Sequence, residues 1–492
     1  MAREALSSID QAWLRMEDPT HPMMITVLLI FDAPIEFKML QAVLERRLLR
    51  FPRFRQRVIQ SRERWDSAAW EDDPGFDLDH HLLRTSVPAP EDEVALRAIV
   101  SELMSKQLDM SRPLWQFHLL EPYGRGCAIV GRVHHGLADG SALMHVLLAL
   151  TDKEPDASSP VTVSEELLAS KAPVHGSTAQ LTELLVQQGL NLLTNPLRFW
   201  DLARLGSGTV AAMHRLLWRP PDPSTSFKGG LGVNKQVAWS QPVALAEVKA
   251  VGRSVGGTVN DVMLAVATGA LRRYLESHGE PVGGLTIRAG LSVNLRPPDA
   301  EASLGNQAGA LLVELPVGVD TALERLQQVK RQMDRLKDSP EASVVWALLN
   351  ALGNAPPSVQ DLLVEAYCTR ETAVVANMAG PAETVYLAGA PLSTLMFWVP
   401  PLGGAGLCLS IASYAGQVWF GAGTDQGLVP DPEELTTAFH AELEALQRVT
   451  QALSEERDSV AVGGNSVEAM NALLDEALAK VDALLKEKGC SC

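Results

Sequence analysis

The 492-residue chain has only five cysteines, and they follow no regular spacing. They lie at Cys127, Cys368, Cys408, Cys490 and Cys492. This scatter excludes a disulfide framework, so we expect a reducing, cytoplasmic environment. Cys127 and Cys408 lie in apolar segments typical of strands, which predicts buried thiols at both positions.

The sequence also lacks an uninterrupted apolar run long enough to cross a membrane. Its longest uncharged stretch, Thr384 to Thr424, is broken repeatedly by proline and glycine, which do not allow one helix of about 20 residues. We expect buried strands and loops there, with at most peripheral contact to a membrane or lipid inclusion. The N-terminus contains acidic residues and no long apolar segment, so no signal peptide is expected.

Positive charge is scarce, because 42 lysines and arginines face 59 acidic residues and give a net charge of −17. This balance argues against a nucleic-acid partner. The chain also has no GxSxG nucleophile motif, no phosphate-binding GxxxxGK[ST] loop, no GxGxxG after a strand and no HExxH or CxxC pattern. We therefore expect no serine acyl-enzyme, no bound metal and no cofactor.

One motif carries chemistry: His134-His135-Gly136-Leu137-Ala138-Asp139-Gly140, which has the pattern HHxxxDG. It follows a strand pattern at 127–133 and precedes a helix pattern at 141–150, which Ser141 could cap. Side chains at a strand end are held by the sheet yet open to a cleft. An imidazole can accept and return a proton near neutral pH, so His135 is predicted to be a general base on an external nucleophile.

The rest of the chain alternates strand and helix patterns, which indicates a mixed α/β protein of the α+β type. Its length predicts two core domains. We place an N-terminal lobe at 1–155, a linker with bridging helices at 156–234, a C-terminal lobe at 235–453, and a linker with an amphipathic helix at 454–492. The apolar stripe of that last helix runs from Met470 to Leu485, and its role is left open.

Several sequence blocks together resemble one family, the bacterial wax ester synthase/acyl-CoA:diacylglycerol acyltransferases of the chloramphenicol-acetyltransferase-like superfamily. The likeness runs from about residue 6 to 450. Its three motifs are HHxxxDG, PLW at Pro113–Trp115 and ND at Asn260–Asp261. Further blocks resemble the family in the expected order: LSSIDQAWLRMEDPTHPMMI from residue 6, SVNLRPP from residue 292, LGNQ from residue 304 and NMAGP from residue 377.

The resemblance implies a fold of two lobes, each a mixed sheet flanked by helices, with an active-site tunnel between them. It implies that His135 takes the proton of a fatty alcohol or diacylglycerol hydroxyl, whose oxygen attacks the acyl-CoA thioester. Asn260 or a backbone N–H would stabilise the oxyanion. His134 would shape the site, and Gly140 and Asp261 would contact substrate.

The resemblance also implies a structural role for Asp139, with Arg296 as its candidate partner by superfamily analogy. Asn260 could instead cap a helix, and Trp115 is expected in the core. A condensation-type acyltransferase that takes chains from a carrier protein remains an alternative, although no carrier domain is evident. A non-catalytic lipid-inclusion protein is a further alternative, which the intact His135 and Asp139 disfavour.

Overall fold

The computed structural model describes residues 3–59, 68–155, 219–296, 304–337, 339, 341–354, 370–401 and 405–463. The predicted bridging helices, the apolar stripe from Met470 to Leu485, and Cys368, Cys490 and Cys492 lie outside these ranges.

The described strands, in chain order, are β1 (Arg3–Ala5), β2 (Met24–Phe31), β3 (Gln56–Ile59), β4 (Ala69–Asp72), β5 (Leu82–Thr85), β6 (Trp115–Tyr123), β7 (Gly126–His134), β8 (Lys235–Trp239), β9 (Val243–Ala244), β10 (Ile287–Asn294), β11 (Ala308–Leu315), β12 (Ala373–Ala379), β13 (Tyr386–Leu387), β14 (Ala390–Trp398), β15 (Leu407–Tyr414) and β16 (Gln417–Asp425). The described α-helices are α1 (Ser8–Arg15), α2 (Phe37–Arg46), α3 (Glu93–Met104), α4 (Gly140–Leu150), α5 (Leu245–Val255), α6 (Val259–Ser277), α7 (Ala322–Leu336), α8 (Glu341–Asn354) and α9 (Pro432–Gly463). Short 3₁₀ helices lie at Leu48–Arg50, Pro52–Arg55 and Leu78–His80.

Two mixed sheets organise the described part of the chain, which confirms the predicted fold class. The N-terminal sheet has the order β13-β14-β2-β7-β6-β5, antiparallel except for the parallel pair β5 and β6. The C-terminal sheet has the order β11-β10-β12-β15-β16-β8, with β9 added beside β16 and parallel pairing on both sides of β12. A small antiparallel sheet, β1-β4-β3, lies apart from both.

The C-terminal half of the chain contributes one long strand to the N-terminal sheet. Strand β14 pairs with β2, bringing Trp398 opposite Thr26. The uncharged stretch predicted to form buried strands therefore contains β13 to β16, and it is divided between the two lobes. Since β14 lies within 235–453, the boundary drawn from the sequence does not separate the two sheets.

Each lobe has its own apolar core. The N-terminal core packs α2, α3 and α4 against the sheet around β2 and β7, whose residues are almost all buried. The C-terminal core surrounds α6, which buries thirteen of its residues between its sheet and helices α7 and α9. Helix α1 contributes Leu14 to the N-terminal core and also packs against α8 of the other lobe.

Two helix boundaries differ from the sequence-based prediction. Helix α9 continues to Gly463, across most of the linker predicted to begin at residue 454, because Glu455, Glu456 and Arg457 favour helix and no proline or glycine intervenes. Gln451 also donates to Glu455 one turn later. Helix α4 is capped by Asp139 rather than Ser141, since the Asp139 carboxylate accepts the Ala142 N–H at 2.9 Å.

Candidate active site

The HHxxxDG motif forms the connection between β7 and α4, where the two lobes meet. Strand β7 ends at His134, the His135 N–H donates to the Met23 carbonyl at 2.7 Å, and α4 begins at Gly140. Gly136 is required by close packing, since a Cβ there would lie 3.0 Å from His134 Nδ1 and 3.2 Å from the Asp10 carbonyl oxygen. The motif thus fixes the His134 and His135 side chains relative to helix α1.

The His135 side chain contacts residues from two distant segments. Its Nδ1 lies 3.0 Å from Asn306 Oδ1, in the loop before β11. The Trp13 indole from α1 stacks on the imidazole with ring centroids 3.8 Å apart. Nε2 makes no hydrogen bond to any described residue, so this nitrogen is the one available to a substrate.

Burial strongly affects the ionisation of this cluster. Desolvation lowers the pKa of His135 to about 4, so the imidazole is neutral at physiological pH and can accept a proton. Burial raises the pKa of the nearby Asp10 carboxyl to about 6, partly opposed by its hydrogen bond from Asn306. The Asn306 amide lies between these two groups, donating to Asp10 Oδ1 at 2.8 Å and to the His135 carbonyl at 2.8 Å.

His134 has a different environment. Its Nδ1 accepts the Gly136 N–H at 2.9 Å, and its Nε2 lies 3.4 Å from Glu17 Oε2. The imidazole is 1% exposed, which leaves no room for a substrate. Glu17 also accepts the Met23 N–H, so His134 and Glu17 together hold the segment that contacts His135.

Asp139 joins the two lobes through its carboxylate. Arg296 Nη1 lies 2.7 Å from Asp139 Oδ2 and 2.9 Å from Oδ1, and the Gln307 N–H donates to Oδ2 at 2.8 Å. Arg296 also donates to the Gly305 carbonyl. The Asp139 and Arg296 side chains are 2% and 4% exposed, so this is a buried ion pair that also caps α4. The loop 304–307 is therefore fastened to the motif at both His135 and Asp139.

The ND pair lies at the start of α6, where Thr258, not Asn260, is the N-cap. Asp261 is 1% exposed, and its Oδ2 accepts the Thr258 N–H and hydroxyl, which completes a capping box. We expected Asp261 to contact substrate, but its Oδ2 instead binds the N-cap residue of its own helix. Asn260 is partly exposed, and its Oδ1 accepts from Asn377 Nδ2 at 2.8 Å.

An apolar cavity of about 830 Å³, counting its open side, lies beside the motif. It is enclosed by the N-terminal sheet, α2 and α4, and Met378 of β12 reaches its lining. Every lining residue is apolar or glycine: Ile25, Val27, Leu29, Leu40, Leu44, Phe54, Phe117, Ile129, Gly131, Val133, Gly140, Leu143, Met144, Val146, Leu147, Leu150, Met378, Leu387, Leu395 and Phe397. Val133 and Gly140 bring this cavity to the two ends of the motif.

Burial of Cys127 and Cys408 is confirmed, and desolvation raises the pKa of each thiol to about 11. Trp115 is a core residue whose indole donates to the Phe54 carbonyl. Within the described ranges, His278, Asp431 and Glu434 form a group with metal-ligand atoms on the C-terminal lobe surface. No described helix is long and apolar enough to cross a membrane.

Sequence reasoning did not single out Asp10, Trp13, Asn306 and Asn377. Each falls inside a block that resembles the family, so the signal was present. What the sequence did not show is that the first three converge on His135. The structure thus places His135 where the two mixed-sheet lobes meet, with an apolar cavity at the ends of its motif.

Comparison with known proteins identifies the family. The model of the wax ester synthase/diacylglycerol acyltransferase catalytic domain matches residues 6–263, and that of the C-terminal domain matches residues 304–447. A putative diacylglycerol O-acyltransferase of Mycobacterium tuberculosis is 27% identical over 475 residues, covering 90% of both chains. The structure of the wax ester synthase/diacylglycerol acyltransferase from Marinobacter aquaeolei VT8 is similar at a TM-score of 0.66 and 24% identity, over 91% of this chain and 100% of that one.

More distant structures share only the fold. The condensation domain of the monacolin K polyketide synthase reaches a TM-score of 0.55 at 15% identity, covering 92% of this chain and 98% of that one. The chain belongs to the wax ester synthase/diacylglycerol acyltransferase family of O-acyltransferases.

Proposed function

We propose that this protein transfers a long acyl chain from acyl-CoA to diacylglycerol or a fatty alcohol, making triacylglycerol or wax ester. The observation that carries the proposal is the neutral His135, with Nε2 unpartnered among the described residues, in a motif whose two ends reach an all-apolar cavity at Val133 and Gly140. The proposed reaction needs no cofactor, because acyl-CoA is a co-substrate and the two products are the ester and the CoA thiol.

In the proposed reaction, His135 Nε2 accepts the proton of the acceptor hydroxyl as the oxygen attacks the thioester carbonyl. The tetrahedral intermediate carries a negative charge, which the Asn260 amide or a backbone N–H would stabilise. Collapse breaks the carbon–sulfur bond, and the CoA thiolate takes the proton back from His135. Each turn consumes one thioester and one alcohol and yields one ester and one thiol, with His135 unchanged.

The same scheme requires no acyl-enzyme. Cys127 and Cys408 are fully buried, and their raised pKa disfavours the thiolate that a nucleophile needs. Direct transfer requires both substrates to be bound together, so we expect sequential rather than ping-pong kinetics.

We assign the apolar cavity to the acyl chain. It follows β7 from Val133, beside the motif, to Ile129, a distance of about 13 Å at the usual rise of a strand. No lining side chain could pair with a charged headgroup, so burial of methylene groups is the interaction that the cavity offers.

We also propose that the N-terminal lobe meets lipid surfaces through its α2 side. Arg46, Arg50 and Arg55 are exposed and form no ion pair with described residues, although the chain as a whole is acidic. Met39 of α2 and Leu148 of α4 are large apolar side chains that are 52% and 40% exposed. Both helices also line the acyl cavity, so attachment here would place it near an anionic lipid interface. The protein would then be cytoplasmic and peripherally bound.

The function is tested with purified protein, palmitoyl-CoA, and either hexadecanol or dioleoylglycerol, following the ester by thin-layer chromatography and CoA release by thiol titration. We expect H135A to lose about 10²–10⁴-fold in kcat, the usual contribution of a general base. H80A is the matched control, because the His80 side chain is half-exposed and, among the described residues, its ring forms an ion pair with Asp77 only. Retention of more than half the activity by H135A would exclude the base assignment.

The lipid surface is tested by co-sedimentation with vesicles containing phosphatidylglycerol. R46E/R50E should bind more weakly, and salt should weaken the wild type. R331E/R335E makes the same charge change at two exposed arginines of α7 and should bind normally. Equal losses in both variants would show that net charge, not this surface, controls attachment.

A further inference from the structure

The contacts around Asn306 have a consequence for the proton on His135. An amide has one accepting oxygen and one donating NH₂ group, and the two ends of the Asn306 amide face different partners. One end faces Asp10 Oδ1 and the His135 carbonyl, each at 2.8 Å. Both of these atoms are acceptors, so this end must be the NH₂ group.

The other end of the amide is therefore the oxygen, and it lies 3.0 Å from His135 Nδ1. An amide oxygen can only accept, so Nδ1 must carry the hydrogen. In a neutral imidazole the second nitrogen, Nε2, then has the lone pair. Turning the amide over would set its oxygen against a carboxylate and a carbonyl in a buried site, where unmatched polar groups are costly.

We propose that Asp10 and Asn306 are positioning residues that hold His135 in the Nδ1-protonated tautomer, with Nε2 as the base. Asp10 fixes the orientation of the Asn306 amide, and the amide fixes the imidazole. Trp13, one turn after Asp10 on α1, stacks on the ring and restricts its rotation. The inference rests on His135 being the base of the proposed function.

The arrangement spans the whole fold. Asp10 and Trp13 come from α1, His135 from the end of β7, and Asn306 from the C-terminal half of the chain. All four side chains are 8% exposed or less, so water does not compete for these hydrogen bonds. The base is therefore oriented only when α1 and loop 304–307 are both in place.

The direct test measures the tautomer in the wild-type protein. Histidine labelled with ¹⁵N gives two ring-nitrogen signals per residue, and Nε2 is recognised by its couplings to both ring C–H protons. The His135 signals are assigned by their absence from H135Q. We expect a pyridine-like, unprotonated Nε2 and a protonated Nδ1. A protonated Nε2 in the wild type would overturn the proposal without any variant.

Variants test the role of the amide. N306A should lower kcat by about 10²–10⁴-fold, as when a catalytic histidine loses the partner that fixes its tautomer, with little change in KM. N306D restores an acceptor at Nδ1, and a proton shared between its carboxyl and that of Asp10 can replace the lost NH₂ donor, so N306D should recover activity relative to N306A. N350A removes an amide that donates to the Trp346 carbonyl and should leave kcat unchanged.

Two outcomes would contradict the proposal: N306A with more than half of wild-type kcat, or N306D no more active than N306A while both are folded by circular dichroism. If N306A does not fold, the wild-type tautomer still decides the matter. Absence of acyl transfer by the wild type would refute the proposed function alone, because the ¹⁵N measurement needs no substrate.

Discussion

Replacing Asp139 by alanine should destabilise the protein as well as inactivate it. The carboxylate receives two hydrogen bonds from Arg296 Nη1, one from the Gln307 N–H and one from the Ala142 N–H. D139A removes all four acceptor contacts and takes the Asp139 charge away from the Arg296 guanidinium, which is 4% exposed. Breaking one side of such a pair costs about 3–5 kcal/mol, because the remaining charge stays buried.

This free-energy loss is large enough to measure. In a unit of 150–250 residues, 1 kcal/mol lowers Tm by about 2–4 °C, so D139A should melt about 6–20 °C below the wild type. Activity should fall as well, since Gln307 is held by Asp139 and is the chain neighbour of Asn306. Differential scanning calorimetry at matched protein concentration gives Tm, and the ester assay at a temperature well below both transitions gives activity.

A double-mutant cycle separates the ion pair from the helix cap. D139N keeps an oxygen that can cap α4 but removes the charge, and R296M removes the buried cation at similar volume. The double variant D139N/R296M should be more stable than the sum of the single effects predicts. An unchanged Tm in D139A, with activity lost, would instead place Asp139 in direct contact with the reacting groups. Additive effects in the cycle would show that the two side chains are not coupled.

The remaining predictions concern other parts of the molecule. Because burial lowers the pKa of His135 to about 4, the neutral base persists as pH falls, so kcat/KM should decline below pH 5 rather than near 6.5; an acid limb at the ordinary histidine value would contradict this. G140A adds a methyl group where no described atom beyond its chain neighbours and its own helix lies within 4 Å, so Tm should hold while KM for long-chain acyl-CoA rises; unchanged chain-length preference would remove Gly140 from the substrate site. G269A places a Cβ against the Glu442 carboxylate, which pairs with buried Arg325, and should destabilise by about 1–3 kcal/mol in urea unfolding, whereas G283A, in open space, should not. C127A/C408A should turn over normally, and acyl label retained on denatured wild type would contradict direct transfer.

The sequence predicted the fold well where periodicity was long and uninterrupted. The strand pattern at 127–133 and the helix pattern at 141–150 correspond to β7 and α4 to within one residue at each end, because both are apolar segments with a clear local pattern. Strand β14 was recognised only as part of an uncharged stretch. Its pairing with β2, more than 350 residues earlier in the chain, depends on long-range contacts that no local pattern encodes.

The candidate site shows the same division between local and distant information. His135, Asp139 and the start of α4 lie within one short motif, so their chemistry could be inferred from spacing. Asp10 and Asn306 are ordinary polar residues in their local sequence, and they acquire a role only where α1, β7 and loop 304–307 meet. The sequence does not distinguish the two nitrogens of the His135 imidazole. In the proposed arrangement Asp10, 125 positions earlier, and Asn306, 171 positions later, determine which nitrogen carries the proton. The motif therefore supplies the base, whereas the fold determines which of its atoms acts.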